Sequence, residues 1–197
     1  MPDSIPDVID TLVGIAPGSR LDAIRAGRPQ ARLHAQNSYR ALFAPDFPGG
    51  VTTAERFAIA SFVAALHGQP ETALFYAARL AESGTALHDA IQAELPHATG
   101  SGPYGSYPDG LLTAENTPGA EYRLAEPGRA ALGRLAAALE HAHMLVLYPR
   151  DATAARLQAL LDAGWRTDDI VTISQLIAFL SFQIRVIAGL RTLSATA

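Results

Sequence analysis

Apolar residues recur every three or four positions along most of the chain and almost nowhere alternate with polar ones, so the pattern predicts helices nearly throughout. A first helical region covers about residues 4–43, interrupted near Pro17 and Gly18, and "APDFPGG" then breaks the chain. Thr52 or Thr53 can cap the next helix, with Glu55 in its first turn; it runs through "AERFAIASFVAALH" and stops at Gly68. Pro70 suits the first position of another helix, and Glu71 suits its positive end. Helix resumes at "RAALGRLAAALEHAHMLVLY" and ends by Pro149. Asp151 is expected to cap "ATAARLQALLDAG", with Gly164 as its stop. Thr167, Asp168 and Asp169 open the last helix, "IVTISQLIAFLSFQIRVIAGL", which is apolar nearly all the way round. Such a helix is either buried in the core or forms half of a subunit contact, and self-association through it is expected. The expected fold class is all-α.

Between Leu95 and that resumption the period is lost over more than thirty residues, "PHATGSGPYGSYPDGLLTAENTPGAEYRLAEPG". A connection this long reads as a lid, a packed Ω-like loop or a mobile insert. Tyr104, Tyr107 and Tyr122 sit in or beside it, either as aromatic anchors or as part of a lid over a small apolar ligand. "GSGPYG" formally matches a dinucleotide fingerprint, but a helix and Pro96 precede it and Tyr107 and Pro108 follow, so the strand–turn–helix context is missing. His141 and His143, two apart on a helix, point to roughly opposite faces and cannot share a metal. His143 or His97 is a candidate for the lining of a pocket beneath the long loop. "TAERFAIASFVAAL" can be laid on "TDDIVTISQLIAFL" without a gap, an echo that either duplication or two similarly built helices can produce.

The chain has 197 residues, is 49% hydrophobic and 17% charged, and carries a formal net charge of −4, which suits a single globular domain. A mild acidic balance with no basic block argues against nucleic acid as a partner. There is no cysteine, which removes thiol peroxidase, disulfide-exchange and iron–sulfur chemistry. There is also no lysine, which removes Schiff-base chemistry and the Lys-dependent phosphate loop. Exclusive use of Arg fits the codon composition of a GC-rich bacterial genome. The acidic, proline-broken start "MPDSIPDVID" is unlike a signal peptide, and the longest uncharged run, Ile170 to Ile184, is shorter than the roughly 20 residues of a spanning helix. A cytoplasmic protein with no membrane partner, no metal and no cofactor is expected.

Three stretches carry a resemblance to a known family. "GVTTAERFAIASFVAALHGQPETALFYAARL" has a helix, a Gly- and Pro-containing elbow and a second helix. "AALEHAHMLVLYPRDATAARLQALLDAGWRTDDIVTIS" and "IAFLSFQIRVIAGL" follow in the same order. Together they resemble the carboxymuconolactone decarboxylase and alkylhydroperoxidase AhpD-like superfamily, from Leu42 to the C-terminus, leaving residues 1–41 as a helical extension and about 95–127 as a long insert. The resemblance implies a single AhpD-like helical domain that assembles as a homo-oligomer, a trimer, hexamer or dimer.

In the peroxidatic members that this resemblance brings in, a Cys-x-x-Cys begins the second helix, a His follows, and a Glu on the preceding helix relays protons. Carried over, the two Cys fall on Gln69 and Thr72, the His on Tyr76 and the Glu on Phe57. Arg185 is kept in the last helix, where Ile184 replaces an Asn. The candidate pocket is therefore Phe57, Gln69, Glu71, Thr72 and Tyr76, with His143 and Arg185 as outlying candidates. Without a thiol the redox function is lost while the fold is retained. Three readings follow: a non-redox binding or partner subunit beside a Cys-bearing paralogue, a cofactor-independent lyase or isomerase on a small carboxylated or lactone substrate, or a structural oligomer with a vestigial pocket. The first is preferred, with a small-molecule ligand as an added partner; in the second, Glu71, Tyr76 or a histidine serves as acid or base.

Overall fold

The computed structural model describes residues 5–195, and the expected helix start at Ser4 lies outside them. Among the described residues the fold is all-helical and has no strand, the one β-like feature being a single bridge between Gly105 and Thr117. The helices are α1 (Val8–Val13), α2 (Arg20–Ala26), α3 (Pro29–Phe43), α4 (Thr53–Leu66), α5 (Pro70–Ser83), α6 (Thr85–Ala98), α7 (Glu126–Leu132), α8 (Leu135–Leu147), α9 (Ala154–Asp162) and α10 (Thr167–Ala195).

Local chemistry explains most of these boundaries. Thr52 and Glu55 form a reciprocal capping box that starts α4. Gly68, at a φ of 64°, turns the chain so that Pro70 opens α5. The first helical region is cut twice rather than once, because Pro29 has no N–H to continue α2 and so begins α3 instead. Helix α6 runs through Pro96 to Ala98, a turn further than the proline suggested. Asp151 does not cap α9; Thr153 takes that place, and the Asp151 carboxylate accepts from Ser106 N–H at 3.0 Å, tying the long loop to the end of α8.

The core is organised by α4, α5 and α10. Gly50 N–H donates to Asp169 at 3.0 Å beside the starts of α4 and α10, and His67 meets Ser181 at the end of α4. The two helices therefore run side by side in the same direction. Helix α5 returns antiparallel to them, since Glu71 pairs with Arg191 at 2.6 Å and Tyr76 bonds to Gln183. Eleven residues of α10 are buried, including Ile173, Leu176, Ile177 and Leu180, against the fully buried Ala58, Ile59, Phe62 and Val63 of α4. Burial of this kind stabilises by about 25 cal/mol per Å² of apolar surface removed from water. Val8, Ile9, Tyr39 and Phe43 lie in this same core, so the N-terminal helices are part of the domain's packing.

Helix α10 is 29 residues long with a mean hydropathy of 1.8 over its most apolar stretch, long and apolar enough to cross a membrane by length and composition. Its packing against α1, α3, α4 and α8 accounts for its buried apolar side chains.

Candidate functional site

The positions singled out by the AhpD-like resemblance do not form one pocket. Tyr76 and Thr72 are fully buried on one stripe of α5. The Tyr76 ring stacks on Phe43, which stacks in turn on Phe57, both at 5.2 Å between centroids. Its hydroxyl donates to Gln183 Oε1 at 2.5 Å. Desolvation pushes the Tyr76 phenol far up, so it stays protonated and sealed from substrate. Thr72 Oγ1 has no hydrogen-bond partner among the described residues. Glu71 points outward to Arg191. Gln69 lies at the start of α5 and lines a separate apolar groove with Leu74, His88 and Leu95.

His143 and His97 do lie beneath the long loop, in a cavity of about 370 Å³. His143 is buried: its Nε2 contacts the Ala98 carbonyl at 3.1 Å and its ring stacks on Tyr122 at 4.6 Å. Tyr122 donates to the buried Glu94 at 2.6 Å, and Tyr104 stacks on Tyr148 at 4.8 Å while donating to the Ala120 carbonyl at 2.6 Å. Tyr104 and Tyr122 are therefore aromatic anchors, and Tyr107 receives the Arg150 guanidinium over its ring. His141 faces elsewhere, to Ser174 on α10 at 3.1 Å. Among the described residues no three of His, Asp and Glu gather as a metal-binding group.

A cleft of about 710 Å³ opens instead between the end of α4, the end of α8 and the middle of α10. Its walls are mostly apolar, from Leu66, Leu145, Val146, Leu147, Ile177 and Ala178. Loop residues Gly100 to Pro103 form one rim. Tyr104 N–H holds that rim close by donating to the Leu147 carbonyl at 3.0 Å, and the approach is possible because Gly102 has no side chain, a Cβ there lying only 2.7 Å from the same carbonyl.

The polar groups of the cleft come from two helices. His67 follows the last residue of α4, where Gly68 turns the chain, and its Nε2 lies 3.2 Å from Ser181 Oγ on α10. Arg185, one turn beyond Ser181, stands on the same side of α10 and donates to the Ser181 carbonyl at 3.0 Å. It is the one charged residue of the lining and is bonded to no carboxylate among the described residues. Burial, and then the Arg185 charge, hold the His67 imidazole below its ordinary pKa, so it is neutral at pH 7. A neutral imidazole in contact with a hydroxyl can accept its proton, and an unpaired guanidinium can bind a carboxylate in a two-pronged geometry.

Of the candidates read from the sequence, then, Arg185 alone reaches this cleft. His67 and Ser181 were missed because each looks ordinary in its own helix. The signal for His67 was its place against the Gly68 elbow, where a helix end exposes a side chain.

No family model, no curated protein and no solved structure matches the chain.

Proposed function

We propose that this is a Cys-free, AhpD-like protein of non-redox function that binds a small carboxylated molecule, its carboxylate on Arg185 and its apolar body between Leu145, Val146 and Ile177. The observation that supports this is the unpaired Arg185 guanidinium standing in an otherwise uncharged, largely apolar cleft. Arg185 is exposed, so its guanidinium is open to an anionic ligand whose apolar body lies against the cleft walls.

The His67–Ser181 contact favours a second reading on the same site, a cofactor-independent lyase or isomerase. There the neutral imidazole moves a proton on a substrate anchored by Arg185. Self-association as a homo-oligomer is proposed through α10, where Val171, Phe182 and Leu193 are exposed. Successive members are three turns apart, so they share one side of the helix. A role beside a Cys-bearing paralogue would use the same exposed stripe, and a cytoplasmic location goes with these readings.

Ligand-observed NMR with benzoate and with methyl benzoate tests the binding proposal. Benzoate should show saturation transfer that succinate competes away and that Arg185→Gln abolishes, with Arg20→Gln as an unaffected control. Equal signals from acid and ester, or none from either, would overturn it.

A further inference from the structure

We propose that Ser181 and His67 form a nucleophile and general-base pair for acyl transfer, and that the substrate is a half-ester of a short dicarboxylic acid. The substrate class rests on the carboxylate reading of the cleft given above; the nucleophile rests on the side-chain geometry of α10.

A serine or threonine inside a helix ordinarily turns its hydroxyl back to the carbonyl four residues earlier. Thr172 does so to Asp168 and Thr192 to Ala188, each at 3.0 Å. Ser181, on the same helix, instead faces His67 Nε2 across 3.2 Å, within reach of a base that takes its proton. Helix α10 carries a second such contact, Ser174 to His141, in different surroundings. His141 is 6% exposed and lies against a cavity of only about 120 Å³, whereas His67 and Ser181 open on one of about 710 Å³. Only the His67 pair has room for a substrate.

In the step, Ser181 Oγ attacks the ester carbonyl carbon as its proton passes to His67 Nε2. The carbon–oxygen bond to the leaving alcohol then breaks, and His67 returns the proton to that alkoxide. Water attacks the resulting acyl-serine by the same route in reverse, His67 taking a proton from water and giving it to Ser181 Oγ. The products are one alcohol and one carboxylic acid, with no change in oxidation state.

Arg185 sets the substrate's length. Its Nη1 donates to the Ser181 backbone carbonyl at 3.0 Å, which brings the guanidinium back beside the serine. An ester carbonyl at Ser181 therefore places a carboxylate on Arg185 when two or three carbons separate the two groups. No carboxylate is bonded to His67 among the described residues, so the imidazole lacks the orienting partner of a full triad and turnover should be slow. Covalent trapping is the more sensitive readout.

The full-length protein is treated with diisopropyl fluorophosphate and read by intact mass and peptide mapping. The expected result is one adduct per chain, on Ser181, lost in Ser181→Ala and His67→Gln and retained in Ser174→Ala. Hydrolysis of 4-nitrophenyl hemisuccinate should exceed that of 4-nitrophenyl acetate by about tenfold, the advantage disappearing in Arg185→Gln. An unlabelled Ser181, or labelling that persists in Ser181→Ala, overturns the nucleophile. If benzoate still binds through Arg185 in that case, the cleft reading survives and this inference alone falls. A labelled Ser181 with no preference for the hemisuccinate supports the nucleophile and overturns the half-ester assignment.

Discussion

The Tyr76 hydroxyl donates to Gln183 Oε1 across 2.5 Å, joining α5 to α10 by a hydrogen bond between two fully buried side chains 107 positions apart. Gln183 Nε2 has no partner among the described residues, so Tyr76 satisfies the oxygen end of that amide and nothing satisfies its nitrogen. Tyr76→Phe should cost about 1–3 kcal/mol, the penalty of stranding a buried acceptor. Adding Gln183→Leu should restore part of the loss, because both polar ends are then gone. Urea unfolding of the two single variants and the double variant measures the coupling; simple additivity of the losses would contradict it.

Arg56 is a buried cation that donates to three carbonyls, Val51 at 3.0 Å, Leu42 at 2.7 Å and Pro48 at 2.6 Å, and so shapes the whole turn before α4. Lysine cannot reproduce a planar fork, so Arg56→Lys should destabilise nearly as much as Arg56→Met, by about 3 kcal/mol or more. Thermal unfolding of the two variants side by side checks this.

Acid should weaken the fold through the buried histidines. Burial, helped by Arg156, holds His141 down to about 4 against an ordinary 6.5. Between those values the unfolded chain binds a proton that the folded chain refuses, so stability falls as pH drops from about 6.5 to 4 and is fully present above 6.5. The loss is on the order of 3 kcal/mol for this residue. His67 and His143 are shifted in the same direction. Unfolding free energies at pH 7.5, 5.5 and 4.5 should decline in that order, and His141→Gln should flatten the slope.

A Cβ on Gly119 would lie 1.9–2.3 Å from the Tyr104 ring atoms. Gly119→Ala should therefore expel Tyr104 from its stack on Tyr148 and loosen the long loop, at a cost of about 1–3 kcal/mol. Limited proteolysis should show faster cleavage within residues 99–123 than in the wild type, with the helical core resistant.

The stripe of Val171, Phe182 and Leu193 should make the protein a defined oligomer in light scattering. Phe182→Arg should lower its mass toward that of a monomer with little change in helicity. A wild-type monomer would remove the oligomer proposal.

Much of the fold was legible because its punctuation is local. The Thr52–Glu55 box, the Gly68–Pro70 elbow and the stop at Gly164 depend on residues a few positions apart, and each lies where the pattern put it. The aromatic loop was legible as a loop, while the anchoring of Tyr104 and Tyr122 required partners at Ala120 and Glu94 that no spacing reveals. The site was harder to read. Matching positions to a family's motif pointed to Thr72 and Tyr76, which the packing buries, and passed over His67 and Ser181, which are 114 residues apart and meet through the alignment of α4 with α10. Periodicity tells which face of a helix turns inward but not what the opposite helix brings to it.

The parallel pairing of α4 with α10 has a consequence for synthesis. While the chain is being made, α4 and α5 emerge long before the helix that covers them, and their apolar faces must wait for residues 167–195. A chain stopped short of α10 has neither a closed core nor the second half of the cleft. Binding capacity and solubility should therefore appear together, once α10 has been made, and a chain truncated before α10 should be seen by the cell's degradation machinery before any activity could be measured.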